Sequence, residues 1–375
     1  MKMSLGEKAK NIFRQNTQLL IAVIAIVGLL LFNLIRDPSF YNISIVDSIG
    51  GPKLTGNIIE VLDNATELVL IAIGMTLVTA SCGGQDISVG AIGVISATVF
   101  TKSLILMYPN TAENPVAIPG ILLALLLAII VSVLFGLFNG TLVSVFHIQP
   151  MIATLILFTC GRDVAYWIGG TANLIVPSND YTSILANVIP GIPIPTPILI
   201  TILFAVIFFL IFRFTSLRLY TQSVGINQSA ARLNGINSTV IKLICFGLLG
   251  LCCAMAGIIS ETRLLGVQKV SYGTLMQNIE MEAILAVAIG GNALGGGKFR
   301  IVGSVLGAYA YKLLTRTLYC MGINIQNIRA YQAVVIIILV VVSSSEVKTF
   351  AAYRWAKIKN HFSGASSEKE AAGLQ

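Results

Sequence analysis

Charge is what this sequence has least of: 11% of its 375 residues are Asp, Glu, Lys or Arg, against about a quarter in a soluble domain. A surface built for water is thereby excluded, because such a chain folded in water would expose far more apolar area than a normal surface patch. Histidine is nearly absent too, with only His147 and His361, which argues against a catalytic metal held by imidazoles. The six cysteines, Cys82, Cys160, Cys245, Cys252, Cys253 and Cys320, form no CxxC pair and stand in apolar surroundings. They read as small core residues and not as a disulfide framework or a metal site. No G-x-S-x-G elbow or H-E-x-x-H pair is present, so an intramembrane enzyme has no visible machinery.

What fills the chain instead is apolar: 56% hydrophobic residues and a mean hydropathy of +0.87. The net charge is +8. Because the basic residues lie largely in short connections and at both ends, the excess reads as membrane topology, not as nucleic-acid binding. Measured against the roughly 20 apolar residues a helix needs to cross a bilayer, spans are predicted near 19–35, 58–79, 87–107, 118–145, 151–168, 197–214, 243–261, 283–294, 301–319 and 331–344. The expected fold is therefore an all-α polytopic membrane protein of about ten transmembrane helices. Lys2, Lys8, Lys10 and Arg14 place the N-terminus in the cytoplasm, and an even count returns the C-terminus to the same side. Residues 1–18 form a cytoplasmic segment, 19–346 the transmembrane domain, and 347–375 a cytoplasmic tail whose small polar residues predict disorder. The clusters Arg213, Arg218, Arg232 and Lys242, then Lys298 and Arg300, then Lys348, Arg354, Lys357 and Lys359 all fall on the cytoplasmic side. Lys269, Lys312 and Arg316 do not obey the rule.

Three motifs interrupt the apolar runs. In the first, Gly83, Gly84, Gln85, Asp86, Ser88 and Gly90 lie where a helix would otherwise continue. Glycine frees the backbone there, and Asp86 with Ser88 is suited to cap the next helix. Broken helices within a membrane are tolerated at protein or water-lined cavities, so the segment belongs near a pathway even if Asp86 is only a cap. The second, Gly290, Gly291 and Asn292 through Gly297 and Lys298, imitates a phosphate loop and fails on count. A phosphate loop needs glycine at 292 and Ser or Thr at 299, where Asn292 and Phe299 stand. It reads as a tight connection, with Gly303 and Gly307 offering a G-x-x-x-G face for close helix approach. The third is the longest basic connection, near 213–242. There Ala230, Ala231, Arg232 and Leu233 favour a short helix and Gly235, before Ile236, suits its C-terminus. Spacing alone leaves open whether that helix sits in a partner's groove or lies idle in solvent.

Taken in order, Gly-Gly-x-Asp-Ile-Ser-Val-Gly at 83–90, Gly-Ile-Asn-x-x-Ala-Ala-Arg-Leu-x-Gly-Ile-Asn at 225–237 and Ala-Ile-Leu-Ala-Val-Ala-Ile-Gly-Gly at 283–291 resemble the permeases of ribose/galactose-type ABC importers, across roughly residues 15–345. The stretches 148–157 and 290–307 resemble the galactofuranose-type branch most. The resemblance implies a bacterial inner-membrane permease subunit, not itself an enzyme, that forms the translocation pathway for a pentose or hexose, galactofuranose among the candidates. It implies two cytoplasmic ATPase subunits that bind ATP and Mg, a second permease (identical or not), a periplasmic sugar-binding protein, and no cofactor on this chain. It also casts residues 230–236 as the helix that docks on the ATPase. Gln85 stands where such permeases more often carry an apolar residue, either to tune the substrate or to satisfy a local backbone group.

Ionisable residues within spans are functional candidates. Glu60, Asp63 and Glu67 share one helix face by spacing, Arg162 and Asp163 are adjacent, and Glu280 and Glu282 precede the eighth span. Glu60, Glu280 and Glu282 are expected at the hydrated outer interface. Asp63 and Glu67 are expected either to meet sugar hydroxyls or to pair with Arg162. Tyr166 and Trp167 suit a sugar platform or an interface anchor. The rival function is an ion-coupled secondary transporter that uses Asp63 and Glu67 as proton or cation sites.

Overall fold

The computed structural model describes residues 17–48, 51–109, 116–170, 173–177, 182, 184–264, 266–267 and 271–343. The N-terminal segment and the tail, with His361, lie outside the described residues. The chain divides into two units, Met1–Met321 and Gly322–Gln375.

Each predicted span overlaps a helix, though the one expected at 283–294 stops at Ile289, where the glycine run begins. In chain order the helices are α1 (Thr17–Arg36), α2 (Asn57–Asn64), α3 (Thr66–Cys82), α4 (Val89–Met107), α5 (Ile118–Ser144), α6 (Pro150–Gly169) and α7 (Thr196–Phe214). There follow α8 (Leu217–Ile226), α9 (Gln228–Leu233), α10 (Ser238–Leu264), α11 (Ser271–Thr274), α12 (Ile279–Ile289), α13 (Ile301–Cys320) and α14 (Ile325–Ser343). Proline opens α5, α6 and α7 within the first two positions, where its missing N–H costs nothing. Among the described residues the sheets are two antiparallel pairs, β1 (Ser44–Ser48) with β2 (Gly51–Thr55), and β3 (Leu174–Ile175) with β4 (Gly266–Val267). Helix α14 forms the described part of the second unit.

Among the described residues five helices, α4, α5, α6, α7 and α10, are long and apolar enough to cross a membrane. A sixth span results if α2 and α3 are counted as one, and these two meet at a 42° bend at Ala65. The bend falls between Asp63 and Glu67. Helix α12, 11 residues long, is too short to cross alone.

Two environments appear among the long helices. Helices α3, α4 and α10 are buried on nearly every side, as fits helices that are apolar all round. Helices α5, α6 and α7 leave rows of Leu, Ile and Phe exposed, including Leu122, Ile152 and Phe209, the expected dress of a lipid-facing surface. Helix α10 packs against α3, α4 and α5, and small residues set how closely. A Cβ at Gly257 would strike the backbone of Gly93 on α4, so the two helices touch backbone to backbone. Cys245, Cys252 and Cys253 lie in this core. Cys160 and Cys320 are exposed, because they fall on outward faces of α6 and α13 that the apolar run alone does not reveal.

Candidate functional site

Four helices, α3, α10, α12 and α13, share a polarity. Each has one end at a charged cavity and the other among the glycine motifs. The 17 residues of α3 separate the two by about 25 Å.

The charged end is a cavity of about 500 Å³ lined by Glu60, Asn64, Glu67, Ser260, Thr274, Gln277, Glu282, Lys312, Thr315, Arg316 and Tyr319, among others. Its ionic groups are paired. Arg316 Nη2 lies 2.6 Å from Glu60 Oε2, Lys312 Nζ 2.7 Å from Glu282 Oε2, and Arg263 Nε 2.8 Å from Glu67 Oε1. Arg263 also donates to Asp63, with Nη2 2.9 Å from Oδ1 and 2.6 Å from the backbone carbonyl. Lys53 completes the set at 3.6 Å from Asp63 Oδ2. Three carboxylates (Glu60, Glu67 and Glu282) and two cations (Lys312 and Arg316) line the cavity, and Arg263, Lys53 and Asp63 behind its wall bring the set to four charges of each sign. Asp63 itself is buried and lines a smaller adjoining cavity of about 200 Å³.

The partner of Asp63 and Glu67 is Arg263, not Arg162. Arg162 lies on α6 and turns to the chain after α10, donating from Nη1 to the carbonyls of Tyr272 (3.0 Å) and Leu275 (2.9 Å). Its neighbour Asp163 is exposed, one helical position further round. Glu280 is buried, not at a hydrated interface, and with Arg162 it closes over Gly90: a Cβ there would fall 2.7 Å from Glu280 Oε2 and 3.4 Å from Arg162 Nη2. Trp167 is exposed, as an interface anchor would be, while Tyr166 packs edge-on against Tyr272 at 5.4 Å. Sequence reasoning missed Arg263, Lys53 and Glu261. The last is fully buried on α10 with both carboxyl oxygens unbonded among the described residues. Lys312 and Arg316 did leave a trace, since they are two of the three cations that broke the loop-charge pattern.

At the other end the two glycine motifs meet. Gly83 ends α3 in the left-handed region (φ 65°) and lies against Gly295 and Gly296. Gly84 rests on Pro150. Gln85 Nε2 donates to the Leu294 carbonyl at 3.2 Å, the backbone-satisfying role of the two expected. Asp86 Oδ1 accepts from Ser88 N (2.7 Å) and Ser88 Oγ (2.6 Å). Ser88 occupies the cap position of α4, so Asp86 holds the turn before the helix and is not the cap. Asn139 of α5, a polar residue that its apolar run concealed, ties to both, reaching Asp86 Oδ2 at 3.3 Å and Ser88 Oγ at 2.8 Å. In the second motif Gly291, Gly296 and Gly297 have φ of 80°, 94° and 77°. Asn292 closes the loop by accepting from Arg300 N (2.7 Å) and donating to Arg300 O (3.0 Å) and Ser304 Oγ (2.8 Å). Gly303 and Gly307 lie backbone to backbone with Gly290 and Ala286, the close approach of α12 and α13 that the spacing predicts.

Helix α9 sits beside this end. Asn227 caps it, accepting from Ala230 N at 3.0 Å. Gly235 in the left-handed region (φ 78°) ends it, with Ile236 N donating to Ala231 O and Gly235 N to Arg232 O. Ala231 is buried against the bundle, whereas Leu233 is 89% exposed. The short capped helix thus shows an apolar side chain outward. Behind it, Gly225 of α8 lies on the Ala80 carbonyl of α3, and the same carbonyl accepts from Gly297 N at 3.0 Å. Helix α9 is therefore joined through α8 to both glycine motifs.

The comparisons with known proteins agree with one another. Residues 57–343 match the family described as branched-chain amino acid transport system / permease component. The chain is 35% identical over 322 residues to the galactofuranose transporter permease protein YtfT of Escherichia coli K12, covering 86% of this chain and 88% of the relative. It is 32% identical over 335 residues to the fructose import permease protein FruF of Bifidobacterium longum, covering 88% and 89%. It is 30% identical over 330 residues to the ribose import permease protein RbsC of E. coli K12, covering 87% and 92%. No solved structure matches the chain.

Proposed function

The chain belongs to the branched-chain amino acid transport system / permease component family, and from that premise we propose that it is the membrane-spanning permease subunit of an ATP-driven importer for an uncharged monosaccharide. The observation that carries the substrate class is the roughly 500 Å³ cavity whose charged lining residues are each held in an ion pair. Paired carboxylates and guanidiniums offer hydroxyl groups many acceptors and donors, while their pairing leaves little uncompensated charge to attract an ionic solute. The volume is at the small end of the roughly 300–1,000 Å³ typical of small-molecule sites, and relatives are named for galactofuranose, fructose and ribose. An ion-coupled carrier would need Asp63 and Glu67 for protons or cations. Both are already engaged by Arg263, which disfavours that use.

The reading places the chain in a bacterial inner membrane with a second permease, two cytoplasmic ATPase subunits that bind ATP and Mg, and a periplasmic binding protein that delivers the sugar. With the N-terminus inside, the charged cavity faces the periplasm and α9 faces the ATPase. ATP-driven closure of the ATPases would push α9, and α8 would pass the displacement to the α3 and α12 ends through Gly225 and the two glycine motifs. Rigid backbone contacts suit that task because they cannot absorb motion as long side chains do. The test is ATP hydrolysis by the reconstituted complex in lipid, with and without sugar-loaded binding protein, beside Arg232→Glu. Loaded binding protein should raise hydrolysis and Arg232→Glu should abolish the rise. Sugar movement by the purified chain alone down a proton or sodium gradient would overturn the reading.

A further inference from the structure

A second cavity, of about 240 Å³, lies beside α9 and has a different character: His147, Gln149, Pro150, Gln228, Arg232 and Lys242 line it, and no carboxylate does. Lys242 is buried, 9% exposed, and its Nζ has one hydrogen bond, to Gln228 Oε1 at 3.0 Å. Arg232 Nε bonds Ser238 Oγ at 3.0 Å. Among the described residues neither cation has a carboxylate within ion-pair distance, in contrast to Arg263, Lys312 and Arg316 at the other end. A buried ammonium held by one amide oxygen is short of a counter-charge. The N-terminus of the 20-residue helix α6 opens on the same cavity at Gln149 and Pro150, adding its partial positive charge. The surroundings indicate what kind of anion fits. His147 follows Val145 and Phe146, 52% and 65% exposed, and Pro150 precedes Met151 and Ile152, 44% and 58% exposed. A cationic cup bordered by outward apolar side chains suits a group that is anionic at its head and apolar behind.

We propose that this cavity binds the phosphate of an anionic phospholipid headgroup, with Lys242, Arg232 and His147 as donors and the acyl chains lying along Phe146 and Ile152. Because Arg232 belongs to α9 and Lys242 to α10, the bound phosphate would brace the short helix against the bundle.

The experiment uses the full chain, purified in neutral detergent and stripped of lipid, and follows thermal unfolding on adding dioleoyl phosphatidylglycerol, dioleoyl phosphatidylcholine or inorganic phosphate. Phosphatidylglycerol should raise the midpoint by roughly 3 °C or more at saturation, and phosphatidylcholine by much less. Lys242→Met should lose the difference. His147→Gln and Arg232→Gln, whose side chains are exposed and leave the fold intact, should at least halve it, so a failure of the Lys242 variant to fold does not spare the proposal. Equal protection by both lipids, or an unchanged phosphatidylglycerol shift in all three variants, would overturn the site. Full protection by inorganic phosphate with no further gain from lipid would overturn the lipid source. A shift that appears only on adding the ATPase and vanishes when one of its carboxylates is neutralised would assign the cavity to a partner's acidic side chain instead. No arm measures transport, so this proposal and the importer reading fail separately.

Discussion

The two ends of α3 solve the problem of polar groups in an apolar bundle in opposite ways. At the Glu67 end, charge is admitted and neutralised: long side chains from α2, α10, α12 and α13 cross a cavity and pair. At the Gly83 end, side chains are removed: Gly83, Gly225, Gly290, Gly296 and Gly303 let backbone meet backbone, and carbonyls such as that of Ala80 take their partners from the next loop. The first arrangement leaves room for a solute and can re-pair around it. The second leaves no room between the backbones it joins. Under the proposed function the first end would serve recognition and the second coupling.

Gly303→Val should have the largest effect. Its side chain would have to occupy the space of the Gly290 carbonyl, and neither backbone can retreat without parting α12 from α13. A cost above the roughly 1–3 kcal/mol of ordinary overpacking is expected, visible as loss of the monodisperse peak on size exclusion. A comparable yield of Gly303→Val and wild type would mean the glycine end is looser than the geometry states.

Next comes Arg263→Met, which leaves Asp63 and Glu67 buried without their shared guanidinium. A loss of about 3 kcal/mol is expected, read as a lower unfolding midpoint. Combining it with Asp63→Asn and Glu67→Gln should restore part of the loss. If the triple variant is no better than Arg263→Met, the three do not form one network.

Arg316→Gln should act on selection more than on stability, since its pair with Glu60 is half-exposed and worth about 0–1 kcal/mol. The lining would gain one net negative charge. Uptake of a neutral sugar in proteoliposomes should fall about tenfold, equivalent to 1.4 kcal/mol, while a cationic amino sugar gains relative to it. Equal losses for both would disconnect cavity charge from selection.

The smallest effect on the fold is expected from Leu233→Ala, within about 0.5 kcal/mol because the side chain is almost wholly exposed. ATPase stimulation by loaded binding protein should nevertheless drop, since the substitution removes the apolar knob of α9. Unchanged stimulation would move the docking contact elsewhere.

The glycine end was the more legible of the two in the sequence. Gly83–Gly90, Gly290–Gly297 and the Gly235 helix end are local: a left-handed φ, a turn or a G-x-x-x-G face is a property of neighbouring residues, and the sequence displays neighbours. Even there, Asn139 was hidden, because its partners Asp86 and Ser88 stand about fifty positions away. The charged end was only half legible. Glu60, Asp63 and Glu67 drew notice as charges in an apolar run, but their partners Arg263 and Arg316 come from helices some 200 positions or more along the chain. Adjacency made Arg162 and Asp163 look like a unit, whereas successive helical residues point about 100° apart and went to different environments.

What the sequence determined by itself was the apolar solvent of the chain, the approximate position of its helices and the glycine breaks at 83–90 and 290–297, because hydropathy and backbone freedom are carried residue by residue. What only the tertiary structure decided was which charge meets which, which glycine touches which backbone, and that the ion pairs gather at one end and the close backbone contacts at the other. Ion pairing and close packing depend on distances across the bundle, and those are fixed only when all the helices pack together.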